Sequence, residues 1–369
     1  MKIGIVSTMN CQCGISTYTE HLVEQFPEDE VIIFGNNLGV MSDTKSCLKH
    51  PIIRCWDRGV DDLKQLTQEI IKSGVQCVHF QHEFGLFQNH QAFLEMLKEL
   101  KSHDIGILIT LHTIFLDKSR NINITRCAPY VDIFIVHHEQ FKGDLGVLGK
   151  TVVLPHASVL RTKKPKEEAR KYLSIPQDKI VCLTMGFITP TKGAMDNVST
   201  VIRLEEEFDN NILLIIVGFP IVHGKHFANL EYCLKLYKRV ATIDAFDKIR
   251  IIPKYIEESE LDWYAGASDV VIENYYDTQD SISGMSHLVM SYGLPSISSR
   301  ARILSDLDET RSLKYEIRDV QGMTDQLRKL LNDGNLRQQL SENCLKYTQA
   351  TSWPIVADQT WEYYKIFNK

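Results

Sequence analysis

Short apolar runs, many of them β-branched, alternate with helix-patterned stretches along nearly the whole chain, and the alternation starts twice. In the first half the apolar runs are residues 2–7, 31–34, 76–80, 107–111, 131–136 and 150–154. They are continuous rather than polar on every second residue, so each strand is buried on both faces. That calls for a parallel sheet covered by helices on either side. After the first run, Tyr18, Leu22, Val23 and Phe26 share one helical face. Residues 161–169, RTKKPKEEA, form a charged, Pro-containing connector, and the pattern then restarts with runs at 180–185, 212–217, 248–252, 269–272 and 296–298. The expectation is an α/β fold of two Rossmann-like doubly wound domains, residues 1–162 and 163–350, with the strand carboxyl ends of both sheets on a shared cleft where ligands bind. In residues 351–369, a last helix gathers Trp353, Val356, Ala357, Thr360, Tyr364 and Phe367 on one face, which needs a partner surface.

A chain of 369 residues is long for one core and ordinary for two. Its formal net charge of −6 argues against a nucleic-acid partner. Residues 1–160 carry 14 Lys/Arg against 18 Asp/Glu, so membrane contact is expected to be peripheral at most. The opening MKIGIVSTMN has an apolar run too short for a signal peptide. The longest apolar stretch, residues 212–222, is broken by Gly218 and Pro220 and falls short of the roughly 18 residues of a membrane span. Nine cysteines, odd in number and without a framework, fit a reducing compartment, so a cytoplasmic protein is expected. Cys11 and Cys13 are spaced Cys-x-Cys, but the Cys-x-x-Cys or His spacing of a metal site is missing, and no metal is expected.

Three features carry chemistry. Residues 278–299, TQDSISGMSHLVMSYGLPSISS, read as a Ser/Gly loop, a helix from about residue 285 to 292, Gly293 as its stop and another strand. A helix that opens in such a loop at a strand's carboxyl end offers free N–H groups and a positive dipole end to a phosphate; the bland reading is an ordinary N-cap. Residues 186–193, GFITPTKG, follow a strand and open a helix. Lys192 there stands where the dipole is already positive, so it favours an anion nearby, against a solvated surface lysine. Histidines fall at strand ends: His79 and His82 in VHFQHEFGLF, His112 in TLHT, His137 and His138 in VHH, His156 in LPHA. Each alone reads as structural; together they suit hydrogen bonding to sugar or phosphate ahead of metal. Gly14, in the loop CQCGISTY, serves either a tight turn or the close approach of a ligand.

In this order and spacing, the Gly14 loop, HEFGLF, LHT, LPHA, GFITPTKG, PKYIEESEL, Ser-Gly and Tyr-Gly-Leu-Pro resemble a GT-B glycosyltransferase of the large retaining family four, over essentially the whole chain. The resemblance implies a UDP- or GDP-sugar donor, a hydroxyl acceptor of unknown identity, and neither metal nor cofactor. It also implies a final helix that crosses back onto the N-terminal domain. By this resemblance, Gly14 lies near the donor pyrophosphate, His112 beside the transferred sugar, and Lys192 on the leaving pyrophosphate. Asp280 contacts sugar hydroxyls, Ser283 and Gly284 cradle a donor phosphate, and Gly186 and Met285 also belong to the donor site. His82, Glu83 and His156 fall on the sugar and acceptor side.

Two positions depart from the pattern. Phe187 replaces the family's arginine, and Leu288 replaces the glutamate that holds the ribose, for which His287 and Asn274 are the candidate substitutes. These losses keep open a second reading, a non-catalytic nucleotide- or sugar-binding protein of the same architecture that acts through a partner. A third, an inverting transferase or epimerase, would need an acidic or histidine base in the first loop, and residues 9–14 offer none.

Overall fold

The computed structural model describes residues 1–11, 13–37, 49–59, 62–221, 227–276 and 282–368. The chain divides into two units: the first comprises Met1–Ala157, Ile282 and Thr351–Lys369, the second Ser158–Thr278 and Ser283–Ala350.

The first unit holds seven parallel strands: β1 (Ile3–Ser7), β2 (Val31–Asn36), β3 (Ile52–Trp56), β4 (Cys77–His82), β5 (Gly106–Leu111), β6 (Ile133–Val136) and β7 (Thr151–Val153). Their order across the sheet is β3-β2-β1-β4-β5-β6-β7. The second unit repeats the plan with β8 (Ile180–Met185), β9 (Ile212–Val217), β10 (Ile249–Ile252), β11 (Val270–Glu273), β12 (Ser296–Ser299) and β13 (Ser312–Tyr315), in the order β10-β9-β8-β11-β12-β13. All pairings are parallel. Both sheets reverse direction of growth beside their first strand, between β1 and β4 and between β8 and β11. Such a reversal splays the two flanking loops apart and opens a crevice at the strand carboxyl ends. The doubly wound α/β class expected from the sequence is therefore present in each unit.

Two strands were not legible in the sequence. In β3, Arg54 interrupts the apolar run; its guanidinium turns inward and donates to the carbonyls of Met9 (3.1 Å) and Asn36 (2.7 Å), bracing the loop after β1. β13, SLKY, is half polar because Ser312 pairs with Ser296 and Ser298 through hydroxyl bonds rather than through apolar contact.

The period-two geometry of a strand explains what the last helix covers. In β4 and β5, Val78, Phe80, Ile107, Ile109 and Leu111 point into one core. On the opposite face, His79 meets the Tyr364 hydroxyl at 2.6 Å, and a Cβ on Gly106 would lie 2.3 Å from the Phe367 ring. The helix Trp353–Lys365 buries Trp353, Val356, Ala357, Thr360 and Tyr364. The aromatic face thus finds its partner on the first sheet, and the chain returns to the first unit as expected.

Candidate functional site

At the carboxyl end of β8, Gly186 adopts φ +105°, and a Cβ there would lie 2.5 Å from the Lys192 ammonium. Glycine is required by that left-handed φ, and the lysine side chain folds back into the space a side chain would occupy. Gly193, at φ +51°, then turns the chain into the helix Ala194–Leu204, and a Cβ there would strike the Asn274 amide. Asn274, just past β11, donates to the Gly193 carbonyl (3.1 Å) and to Asn197 Oδ1 (3.0 Å), and Asn197 donates to Thr184 Oγ1 (2.9 Å). This buried amide chain ties the loops on either side of the β8/β11 crevice together.

Tyr275 joins the two halves of the site. Its ring lies under the Lys192 ammonium at 4.8 Å, and its hydroxyl is 3.0 Å from Ser283 Oγ. Ser299 Oγ takes the Tyr275 N–H and donates back to its carbonyl, which fixes the ring. Ser283 caps the helix Gly284–Ser291, accepting the Ser286 N–H on its side chain. Its carbonyl takes the N–H groups of Ser286 and His287, so among the described residues those of Gly284 and Met285 are left for an outside acceptor. A narrow cavity of about 10 Å³ lies under this cluster, lined by Thr184, Met185, Lys192, Glu273, Tyr275 and Met285 among others. A lysine braced on an aromatic face and a capped helix start, joined through one tyrosine, have the charge and free N–H groups that suit an anion, all within the second unit.

Asp280 lies outside the described residues. Phe187 is 37% exposed, and Leu288 packs on the second unit's core. His287 is not available to a ribose: it is buried, bonded through Nε2 to Asp306 and 3.0 Å from Ser158 Oγ through Nδ1. Asn274 has its amide nitrogen committed to the loops.

In the first unit, Gly14 opens the helix Gly14–Val23, and a Cβ there would meet no atom within 4 Å. No positive φ or close neighbour demands glycine there, which weighs against the tight-turn reading. Tyr18 on that helix is a hub that periodicity marked only as core. Its ring lies 4.9 Å from His112, 5.3 Å from His156, 5.6 Å from His137 and 4.9 Å from Trp353. Gln81 links His112 to a further histidine, donating from Nε2 to His79 and accepting from His112 Nε2 at 2.9 Å. That amide oxygen places the His112 proton on Nε2, and burial, joined by neighbouring histidines, holds the ring well below its usual pKa and therefore neutral. His156 Nδ1 is 2.9 Å from the Ala157 carbonyl, and Glu83 accepts the Gly85 N–H in a tight turn. His82 is buried and stacked on Phe87, with Phe84 and Phe93 around it, so it presents packing surface rather than an exposed polar edge.

These histidines give stability a pH signature. Burial lowers His79 and His82 from 6.5 to about 3. An unfolded chain takes up their protons near pH 6.5 while the folded chain does not, so stability is full above pH 6.5 and falls as pH drops toward 3. The melting temperature is expected to decline steadily below pH 6.5, and a flat profile from pH 7 to 4.5 would contradict the burial of these rings.

Among the described residues, no group of three or more His, Cys, Asp and Glu is placed to hold a metal ion, and no helix is long and apolar enough to cross a membrane.

No protein-family model matches the chain. Similar curated proteins include the D-inositol 3-phosphate glycosyltransferase of Streptomyces avermitilis, 27% identical over 158 residues, which are 42% of this chain and 32% of that protein. The enzyme of the same name from a Nocardioides species is 24% identical over 209 residues, 54% of this chain and 44% of that protein. These matches span less than half the length of either relative. The fold is shared more completely. HepE of Anabaena, in complex with UDP, superposes with a TM-score of 0.81 at 12% identity, covering 99% of this chain and 100% of that one. Sucrose-phosphate synthase of Thermosynechococcus elongatus gives 0.78 at 16% identity, covering 99% and 98%. An α,α-trehalose-phosphate synthase of Burkholderia xenovorans gives 0.76 at 13% identity, covering 99% and 100%. The chain therefore has the GT-B fold, with a Rossmann-like domain in each half.

Proposed function

We propose that this protein is a retaining, metal-independent glycosyltransferase, resembling family four, that moves a hexose from a nucleotide diphosphate sugar to a hydroxyl acceptor. The observation that carries this reading is the anion arrangement at the β8/β11 crevice, where Lys192, Tyr275 and the capped helix at Ser283 converge. The names of the similar proteins support it, and the UDP and UDP-glucose complexes of HepE favour a UDP-sugar over a GDP-sugar. As the bond from the anomeric carbon to phosphate breaks, negative charge gathers on the leaving diphosphate. Lys192 and the N–H groups of Gly284 and Met285 stabilise that charge without reorganising. The leaving phosphate oxygen takes the acceptor's proton on the same face, so no side-chain base is needed. His112, neutral, and Asp280 orient the sugar, Gly14 gives the diphosphate close approach, and Glu83 and His156 belong to the sugar and acceptor side.

NMR of the product tests the stereochemistry: an α-linked donor should give an α-linked product, with EDTA leaving the rate unchanged. A β-linked product or loss of rate in EDTA would count against the mechanism. Phe187 and Leu288 favour the second reading, binding without transfer, which predicts nucleotide binding and no product in the same assay.

A further inference from the structure

Glu273 has no task in that reaction, yet it ends β11 beside Lys192. Strand alternation sends Ile272 into one core and Glu273 to the opposite side, toward the helix Gly284–Ser291. Glu273 is only 5% exposed, and among the described residues neither carboxylate oxygen makes a hydrogen bond of ordinary length; the Ser286 hydroxyl beside it is equally without one there. A buried carboxylate left in this state resists ionisation. Burial raises its pKa from 4.5 to about 7. The charged and titratable groups that face it are Lys192 from the turn after β8, Lys314 and Tyr315 from β13, Asp306, and Cys344 from the helix Gly334–Ala350. Lys314 donates to the Leu304 carbonyl at 3.2 Å, and burial lowers it to about 8. Lys192 lines the same cavity as Glu273 and, among the described residues, is held only by the Tyr275 ring.

We propose that anion binding at Lys192 is coupled to proton uptake by Glu273: a diphosphate that draws on the Lys192 charge leaves the carboxylate to take a proton from solvent. The inference rests on the reading of Lys192 as a diphosphate contact. A ligand anion beside a buried carboxylate disfavours the ionised form in low dielectric, and the protonated acid lets the site hold one anion rather than two. Because the bound state then carries more protons than the free one, affinity for a nucleoside diphosphate falls as pH rises through neutrality.

Calorimetric titration of UDP into the full chain, at pH 7 in buffers of different ionisation enthalpy, measures the protons exchanged. Comparison of wild type with Glu273→Gln cancels the proton of the nucleotide's own terminal phosphate. Wild type should take up a fraction of a proton more than Glu273→Gln, and its affinity should weaken with pH more steeply, by up to roughly tenfold per unit. Glu273→Asp, which keeps an ionisable group, should restore uptake. Glu273→Gln should melt at the same temperature or higher, because it removes a buried unpaired charge. Equal proton exchange in the two proteins overturns the coupling while leaving the diphosphate site standing. A lower melting temperature with proportionate loss of binding also overturns it, since Glu273 would then be structural. If UDP, GDP and ADP all fail to bind wild type, the diphosphate reading falls and this inference falls with it.

Discussion

Lys192→Ala is expected to slow nucleotide release from the sugar donor by roughly a hundred- to a thousandfold, the usual cost of removing one preorganised charge at a developing oxyanion. The same substitution should leave the fold nearly untouched. Lys192 makes no hydrogen bond or ion pair among the described residues, and its ammonium only rests over the Tyr275 ring. It stands, besides, at the positive end of the helix Ala194–Leu204, where a cation gains nothing from the dipole. A change of about 0.5 kcal/mol or less in stability is therefore expected. Steady-state kinetics and thermal melting, run together, separate the two effects. Loss of activity and of stability in proportion would mean that the lysine holds the loop rather than the ligand.

The largest stability effect is expected at Tyr364. It is fully buried on the sheet face opposite the main core of the first unit, its ring packs on Phe26 and Trp361, and its hydroxyl meets His79. Tyr364→Ala removes that ring and leaves His79 Nδ1 without its partner. The cost is about 3–5 kcal/mol by analogy with other large-to-small aromatic changes, or roughly 6–20 °C in the melting temperature of a unit this size. Tyr364→Phe keeps the ring and strands only the His79 nitrogen, for about 1–3 kcal/mol. If Tyr364→Ala melted like wild type, the helix Trp353–Lys365 would not be a structural part of the first unit.

The repeated α/β architecture could be read in advance because continuous apolar strands leave few alternatives, and both sheets follow from it. The strands that escaped reading carry side chains whose reason lies elsewhere. Arg54 in β3 serves the loop after β1, and the serines of β12 and β13 pair with each other. At the second-unit site, Lys192 and Ser283 stood out because a cation and a capping residue at helix starts have a local rationale. Tyr275, which connects them, did not. It looked like one more residue after an apolar run, and its role appears only when the sheet order brings the end of β11 beside β8. Glu273 was hidden for the same reason. His82 illustrates the opposite case: a histidine at a strand end suggests a ligand contact, whereas alternation directs it into the aromatic core. His287 was a natural substitute for a ribose contact by its place in the helix, but its partners Asp306 and Ser158 come from distant parts of the chain.

Binding of a sugar nucleotide for transfer at the second-unit site is tested by nucleotide release by wild type from a panel of UDP-, GDP- and ADP-linked sugars, with melting temperatures recorded for each. Slow donor hydrolysis with one member, accompanied by a rise in melting temperature, is the predicted result. Failure of every donor to turn over or to shift the melting temperature would contradict it.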